Sequence, residues 1–182
     1  MKITAVEPVF VDRYLFAKIH TDEGITGVGE SGAWGFLEAS AAAMEKFGRY
    51  LVGQDPLRIE HHWQHVYRSA FFRGGNVLMT ALSGIDQALW DIFGKSTGQS
   101  VSRLFGGRFT DTIKPYASML FEWPVDQMVR QLETGMEQNF KAFKMGWGTF
   151  GRVDANRDRE LVKAARETVG DDIEIMVDAG GS

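Results

Sequence analysis

The stretch AFKMGWGTFGRVDANRDRELVKAARETVGDDIEIMVD, residues 142–178, decides the fold. It begins with the apolar run Ala142–Met145, continues through the helix-forming residues Asp154–Val169 and ends with a second apolar run, Ile173–Asp178. Parallel strands need a long crossover connection, which is usually a helix. The order of these three segments therefore predicts a parallel strand–helix–strand unit.

The residues before this unit extend the same pattern. Thr112–Leu120 is predicted as a strand and Val125–Gln138 as a helix, so the whole region forms a parallel βαβαβ arrangement. The composition changes near residues 109–113, and we place the domain boundary there. One domain then covers residues 1–113 and a second covers residues 114–182.

The first domain is predicted to be α+β. Runs of β-forming residues separated by turn residues predict an antiparallel meander with strands at Ile3–Asp12, Leu15–His20 and Ile25–Glu30. Helix propensity and apolar spacing predict helices at Leu37–Leu51, Leu57–Tyr67, Leu78–Lys95 and Val101–Phe105.

Composition restricts the classes of function. The net charge of -4 argues against a nucleic-acid partner, and the lack of cysteine excludes disulfides, thiolate metal sites and a cysteine nucleophile. The charged N-terminus lacks the apolar core of a signal peptide, and no apolar run approaches the roughly 20 residues of a membrane span. We therefore expect a cytoplasmic protein with neither a nucleic-acid nor a membrane partner.

Two charged residues lie at the ends of successive predicted parallel strands, Lys144 on the second and Asp178 on the third. The carboxyl ends of such strands are where barrel and doubly wound folds bind ligands, so the two side chains can converge. A carboxylate suits Mg²⁺, a hard cation that prefers oxygen, and a lysine can balance the charge of an anionic substrate. The alternative is that Asp178 caps a following helix and Lys144 is a surface residue.

Histidines offer a second candidate site. His61 and His65 are four residues apart, so a helix places them on one face, as a zinc pair requires. Glu60 or Asp55 could supply a third ligand. We favour the alternative, a polar helix face with aromatic packing, and we interpret the isolated His20 as structural.

A glycine-bracketed loop at residues 31–35 carries one large aromatic residue, Trp34. Trp34 could pack on the core. The functional interpretation is a mobile flap that closes over a ligand.

Several stretches resemble the enolase superfamily, specifically the mandelate racemase subgroup and its acid-sugar dehydratases, most closely the galactonate and mannonate dehydratase-like members. The most specific stretch is LSGIDQALWDIFGKSTGQSVSRLFGG, whose residue types and turn positions match a signature of that family. The other similar stretches are KIHTDEGITGVGE (18–30), GQDPLRIEHHWQHVYRSAFFRGG (53–75), FKAFKMGWG (140–148) and IMVDAGG (175–181).

The resemblance implies an α+β capping domain followed by the first β/α units of a modified TIM barrel, here a truncated α/β barrel. It implies Mg²⁺ held by three carboxylates on successive strands, of which Asp178 is the first, and a catalytic role for Lys144. Trp34, in a mobile specificity loop, and Trp147 are assigned to substrate binding. The implied partner is a small-molecule acid sugar, and we expect a homo-oligomer.

The reaction that the resemblance implies is abstraction of a proton α to a carboxylate, giving an enediolate that the metal stabilises. In dehydratases a β-hydroxyl then leaves, and the product is a 2-keto-3-deoxy acid. A racemase or epimerase of the same superfamily, and a non-catalytic domain, are the alternative functions.

The sequence departs from the family pattern at two places. Gly146 stands where the family carries the second lysine of a Lys-x-Lys motif, and a glycine cannot transfer a proton. Asp178 is followed by Ala179-Gly180-Gly181, where relatives often have Asn or His. These departures favour a reaction in which proton transfer occurs on only one side of the substrate. We expect the base and the other metal ligands to lie beyond Ser182.

A TIM barrel closes with eight strands, whereas the sequence predicts about three. An open parallel sheet exposes a strand edge, so the chain is expected either to be a fragment or to pair with another copy. We favour the fragment, and we expect the 182-residue chain alone to be inactive.

Overall fold

The computed structural model describes residues 1–32 and 34–180 and divides them into two compact units. Unit one is Met1–Phe109, and unit two begins at Thr110. The boundary expected from composition lies four residues further along the chain, between residues 113 and 114. Ala33, Gly181 and Ser182, which belong to segments discussed above, lie outside the described residues.

Unit one contains the predicted antiparallel meander, with strand order β1-β2-β3. The strands are β1 (Ile3–Val11), β2 (Tyr14–Thr21) and β3 (Thr26–Glu30). Alternate residues of β2 are buried because successive side chains of a strand point to opposite faces. Leu15, Ala17 and Ile19 form the centre of the core on the face that packs against the helices.

The helices of unit one are α1 (Leu37–Leu51), α2 (Ile59–Arg68), α3 (Asn76–Thr97) and the short α4 (Val101–Leu104). Helix α3 is the longest, and its buried face carries Leu82, Ile85, Leu89 and Ile92 at helical spacing. It ends at Gly98, whose φ of 64° is the left-handed conformation typical of a helix C-cap. None of the helices among the described residues is both long and apolar enough to cross a membrane.

Polar side chains of α3 form hydrogen bonds with the backbone N–H and C=O groups along the outer edge of β3. Asp91 accepts a hydrogen bond from the backbone N–H of Val28 (3.0 Å), and Gln87 accepts one from the N–H of Glu30 (3.1 Å). Lys95 donates to the backbone carbonyl at the start of β3 (2.7 Å) and to Asp91 (2.6 Å). Four residues of helix rise about 6 Å, close to the repeat of two strand residues, so side chains at i, i+4 and i+8 match the strand edge.

The glycines of β3 allow this helix to approach. A Cβ atom on Gly27 would overlap the carbonyl oxygen of Ala88, and one on Gly29 would overlap the carbonyl oxygen of Gly84. The helix backbone therefore lies directly on the strand backbone, a separation that only glycine permits. The two glycines lie in the stretch 18–30, and their partners on α3 lie in the stretch that begins at Leu82, both quoted in the sequence analysis.

One histidine of α2 is a core residue that the sequence analysis did not single out. His62 is 1% exposed, and its Nε2–H donates to the carbonyl of Asp55 (2.7 Å). Its Nδ1 then accepts from the hydroxyl of Tyr50 (3.0 Å), so the neutral ring satisfies both groups. Burial lowers the pKa of His62 below its usual value.

The two histidines considered for zinc lie beside it, at the helix surface. The ring of His65 stacks on Tyr50 with centroids 3.8 Å apart, and the rings of His61 and His65 are 6.4 Å apart. Within residues 1–32 and 34–180, no group of three or more His, Cys, Asp or Glu side chains could hold a metal. These contacts match the polar, aromatic-packed face that the sequence analysis favoured. His20 contacts Glu7 and Thr26, each at 3.3 Å.

Unit two contains a parallel sheet of order β4-β5-β6, which confirms the predicted βαβαβ arrangement. Its strands are β4 (Ala117–Leu120), β5 (Ala142–Gly146) and β6 (Glu174–Asp178), and its helices are α5 (Val125–Glu137) and α6 (Ala155–Val169). Phe143 and Met145 point into a core formed with the two helices. Asp154 begins α6, where its carboxylate accepts from the N–H groups of Asn156 and Arg157.

One strand is shorter than predicted. We expected a strand over Thr112–Leu120, but β4 begins at Ala117. Pro115 lies in the missing part and has no N–H to give to a neighbouring strand. Ile113 is also largely exposed, so its β propensity is not supported by burial.

We predict that Gly29→Ala destabilises unit one by about 3 kcal/mol or more, because the added methyl group overlaps the backbone of α3. Gly32→Ala is the matched control, since its nearest heavy atom to the added Cβ is 3.8 Å away. Urea unfolding of the two variants measures the difference. Equal stability would contradict the backbone contact described here.

We predict that His62→Ala lowers the free energy of unfolding by about 2 kcal/mol at neutral pH, because it leaves the Asp55 carbonyl and the Tyr50 hydroxyl without their partner. The pKa of His62 is lower in the folded state than in the unfolded state. Its contribution to the free energy of unfolding is therefore fully present above the unfolded-state pKa of about 6.5, and it is lost as the pH falls below that value.

The difference in stability between wild type and this variant should therefore narrow as pH falls from 7 toward 5. Urea unfolding across this range measures it, with the exposed His61→Ala as control. A difference that does not change with pH would rule out the neutral, buried ring.

Candidate functional site

The sheet of unit two presents two different faces. Phe143 and Met145 of β5 face the helices, so Lys144, which lies between them, belongs to the opposite face. In the parallel register Lys144 pairs with Met176, and Gly146 pairs with Asp178. The side chains of Lys144 and Asp178 therefore share one face at the carboxyl end of adjacent strands, as the sequence predicted.

Lys144 and Asp178 form an ion pair, with Nζ of Lys144 3.1 Å from Oδ2 of Asp178. About one third of each side chain is exposed, 33% and 37% respectively. The hydrogen bond from Lys144 lowers the pKa of Asp178, and the N–H of Gly180, 3.1 Å from Oδ1, lowers it further. The same contact raises the pKa of Lys144, and the ring of Tyr116 lies 6.0 Å from Nζ. The pair is thus a charged lysine beside a charged carboxylate at neutral pH.

Gly146 allows β6 to lie close to β5. A Cβ atom on Gly146 would lie 2.6 Å from the carbonyl oxygen of Asp178 and 2.8 Å from its Cβ. Any side chain at this position requires one of the strands to move. Gly146 is therefore a packing requirement of this sheet.

The loop after β5 is held against the end of β4. The N–H of Phe121 donates to the carbonyl of Gly146 (3.1 Å), and the N–H of Thr149 donates to the carbonyl of Phe121 (3.2 Å). Gly148 has a φ of 60°, and a Cβ atom there would overlap the Phe121 carbonyl oxygen. Trp147 lies between these two glycines, and its ring extends toward Gly180, in the turn that follows Asp178.

The structure brings Lys144, Asp178 and Trp147 together in unit two. Trp34 belongs to unit one, where it is 66% exposed and its ring lies 5.2 Å from the guanidinium of Arg13. It is therefore not buried in the core of that unit.

Two contributors to the site were missed in the sequence. Gly180 forms an Asx turn with Asp178, and a glycine two residues after an aspartate is a signal for such a turn. Tyr116 lies two residues before Ser118, the register partner of Lys144; the predicted strand Thr112–Leu120 included it, but no motif marked it as a site residue.

Asp178 offers the oxygen donor that Mg²⁺ prefers, on a partly exposed strand end. The described part of the chain contains no cluster of three or more His, Cys, Asp or Glu side chains around it. Asp178 fits the role of one ligand in a set that needs further oxygen donors.

We predict that Lys144→Met raises the pKa of Asp178, because it removes both the largest hydrogen bond and a positive charge. The carboxyl group would then bind a proton at higher pH than in the wild type. The carboxyl carbon resonance of Asp178, followed by NMR across a pH titration, measures the shift. Lys141→Met, which removes an exposed lysine before β5, is the control; an unchanged Asp178 titration in Lys144→Met would contradict the ion pair.

Comparison with known proteins places this geometry in a family. Residues 2–106 match the mandelate racemase/muconate lactonizing enzyme N-terminal domain, and residues 127–182 match the enolase C-terminal domain-like family. D-galactonate dehydratase from Variovorax paradoxus (strain S110) is 41% identical over 182 residues, which cover 99% of this chain and 47% of that protein.

Solved structures agree with this assignment. The 3,6-anhydro-D-galactonate cycloisomerase from Zobellia galactanivorans superposes with a TM-score of 0.83 at 32% identity, over 98% of this chain and 51% of that one. A member of the enolase superfamily from Salmonella Typhimurium gives a TM-score of 0.84 at 28% identity, over 97% and 54%.

The chain thus spans about half the length of the proteins that it matches. Its α+β unit and its partial parallel sheet, with a charged pair at the strand ends, correspond to the two matched family regions. The chain belongs to the mandelate racemase/muconate lactonizing enzyme family of the enolase superfamily.

Proposed function

We propose that this chain contributes the capping domain and the first barrel strands of a Mg²⁺-dependent acid-sugar dehydratase. The reaction is removal of the proton α to a carboxylate and loss of the β-hydroxyl as water, giving an enol that tautomerises to a 2-keto-3-deoxy acid. The observation that carries the proposal is the Lys144–Asp178 pair at adjacent strand ends, in a chain 41% identical to a D-galactonate dehydratase.

Asp178 would hold Mg²⁺ as one of its oxygen ligands. When bound, the metal supplies positive charge beside the substrate carboxylate. The support for this role is the position of Asp178 at a strand end, its lowered pKa and its partial exposure, which together keep an ionised carboxylate available. The remaining ligands would come from residues outside the described part of the chain.

Lys144 would bind the substrate carboxylate and stabilise the negative charge that develops on it as the α proton leaves. Its raised pKa keeps it cationic, which suits electrostatic stabilisation and not proton abstraction. In the absence of substrate, Asp178 neutralises it. Binding of an anionic substrate would give Lys144 a second partner on the same face of the sheet.

The lack of an acid–base side chain at position 146 favours a dehydratase over a racemase or epimerase. A racemase needs acid–base groups on both faces of the substrate, and a side chain at Gly146 would collide with the backbone of Asp178. The base is therefore proposed to lie on the opposite side. The likeness to the 3,6-anhydro-D-galactonate cycloisomerase, which is named for an isomerisation, supports the isomerase alternative.

Trp34 and Trp147 are proposed to contact the substrate. Both are more than half exposed, 66% and 51%, and each lies in a loop that follows a strand, β3 and β5 respectively. Large exposed aromatic rings in loops are more typical of ligand contacts than of core packing. We also propose that the protein forms a homo-oligomer.

We predict that Asp178→Asn abolishes Mg²⁺-dependent formation of a 2-keto-3-deoxy acid from D-galactonate in an active enzyme that contains these residues. Lys144→Met should lower kcat by about 100-fold or more, by loss of charge stabilisation. Asp172→Asn, which alters an exposed acidic residue just before β6, should leave turnover unchanged.

Unchanged turnover in Asp178→Asn would remove the metal assignment. Racemisation or epimerisation of a 2-hydroxy acid without a keto-acid product would overturn the dehydratase proposal and favour the alternative.

A further inference from the structure

Trp147 has a backbone conformation that is unusual for its type. Three non-glycine residues of the described chain have positive φ: Asp12, Asn139 and Trp147, the last at 54°. Asp and Asn tolerate the left-handed region because their short polar side chains bond locally, but a bulky aromatic residue does not. Such an outlier persists only where the surroundings enforce it, and it points to a function.

The surroundings of Trp147 do enforce it. The residue before it, Gly146, lies against the backbone of β6, and the residue after it, Gly148, lies against the carbonyl of Phe121. Hydrogen bonds from Phe121 and Thr149 hold both flanks of the loop to the end of β4. Between these two fixed neighbours Trp147 adopts the left-handed conformation, and its ring lies on Gly180, in the turn that follows β6.

The indole ring covers the turn that carries Asp178. A Cβ atom on Gly180 would lie 2.9 Å from Cε3, 3.0 Å from Cδ2 and 3.1 Å from Cζ3 of Trp147, so the ring lies directly on this glycine. The N–H of Gly180 is the group that donates to Oδ1 of Asp178. The indole also contributes, less than Lys144 and Gly180, to the lowered pKa of Asp178.

We propose that Trp147 is a positioning residue that clamps the Asp178–Gly180 turn and so fixes the orientation of the Asp178 carboxylate toward a divalent cation. The cation part of this inference rests on the proposed function, whereas the clamp does not. An aspartate at an exposed strand end can rotate freely about its side-chain bonds. Lys144 restrains one oxygen, the Gly180 N–H restrains the other, and the ring of Trp147 keeps Gly180 in place.

Hydrogen exchange at the Gly180 amide tests the clamp without metal or substrate. In Trp147→Ala no ring packs on Gly180, and we expect hydrogen exchange at the Gly180 amide to accelerate at least tenfold. Trp147→Phe keeps an aromatic ring, so we expect a smaller increase. Trp123→Ala is the matched control, since this exposed tryptophan follows β4 and packs on Arg157, 3.8 Å away. Equal exchange in wild type and Trp147→Ala would overturn the proposal.

Gly180→Ala tests the same contact and leaves Trp147 in place. The added methyl group would lie 2.9 Å from Cε3, and Gly180 has a φ of 63°, so the ring and the turn cannot both keep their present positions. We expect the indole N–H resonance of Trp147 to shift in this variant while that of Trp123 does not. An unmoved Trp147 resonance would contradict the ring position on which the clamp depends.

Titration with Mn²⁺, a paramagnetic substitute for Mg²⁺, tests the cation part in an active enzyme that contains these residues and the remaining metal ligands. We expect broadening at Asp178 and Gly180, with the concentration for half-broadening about 10-fold higher in Trp147→Ala, as is typical when an outer partner of a metal ligand is lost. No broadening at Asp178 in the wild type would overturn the metal assignment of the proposed function, and with it the cation part of this inference. The exchange experiment would still decide the clamp.

Discussion

The close approach of β5 and β6 at Gly146 is the constraint on which the candidate site depends. The parallel register brings Lys144 and Asp178 to the same edge of the sheet. The missing side chain at Gly146 lets the backbone of Asp178 lie against β5, and the carboxylate then meets Nζ of Lys144 at 3.1 Å. Gly146 thus permits the geometry of the charged pair.

A similar use of glycine organises the first unit. Gly27 and Gly29 let the backbone of α3 lie on β3, and the helix then completes the hydrogen bonding of the strand edge with Gln87, Asp91 and Lys95. An exposed strand edge is a site of unwanted pairing, and here a helix face closes it. In the stretch LSGIDQALWDIFGK, polar residues at four-residue spacing therefore form hydrogen bonds with the backbone at the edge of one strand.

The architecture could be predicted from sequence because the local signals and the tertiary contacts agree. The meander, the crossover helices and the convergence of Lys144 with Asp178 follow from periodicity and from the geometry of parallel strands. The family assignment was confirmed by the matched regions and by the solved structures. The strand over Thr112–Leu120 was too long because Pro115 and the exposed Ile113 cannot join the sheet.

Other features of the site depend on distances that no sequence pattern encodes. The burial of His62 could not be predicted, because the four-residue spacing of His61 and His65 does not indicate which imidazole is buried. The packing role of Gly146 depends on the separation of two strands, and the left-handed conformation of Trp147 depends on contacts at both flanks of its loop. The metal and substrate roles of Lys144, Asp178, Trp34 and Trp147 stay predictions.

The most direct test of the central claim is the position of a divalent cation in a crystal of an active form of the enzyme, grown with Mn²⁺ and a non-reacting acid-sugar analogue. Anomalous scattering identifies the metal independently of any activity measurement. The account predicts a peak about 2 Å from a carboxylate oxygen of Asp178, with Nζ of Lys144 bonded to the carboxylate of the analogue. A metal bound elsewhere, with Asp178 contacting only Lys144 and Gly180, would contradict it.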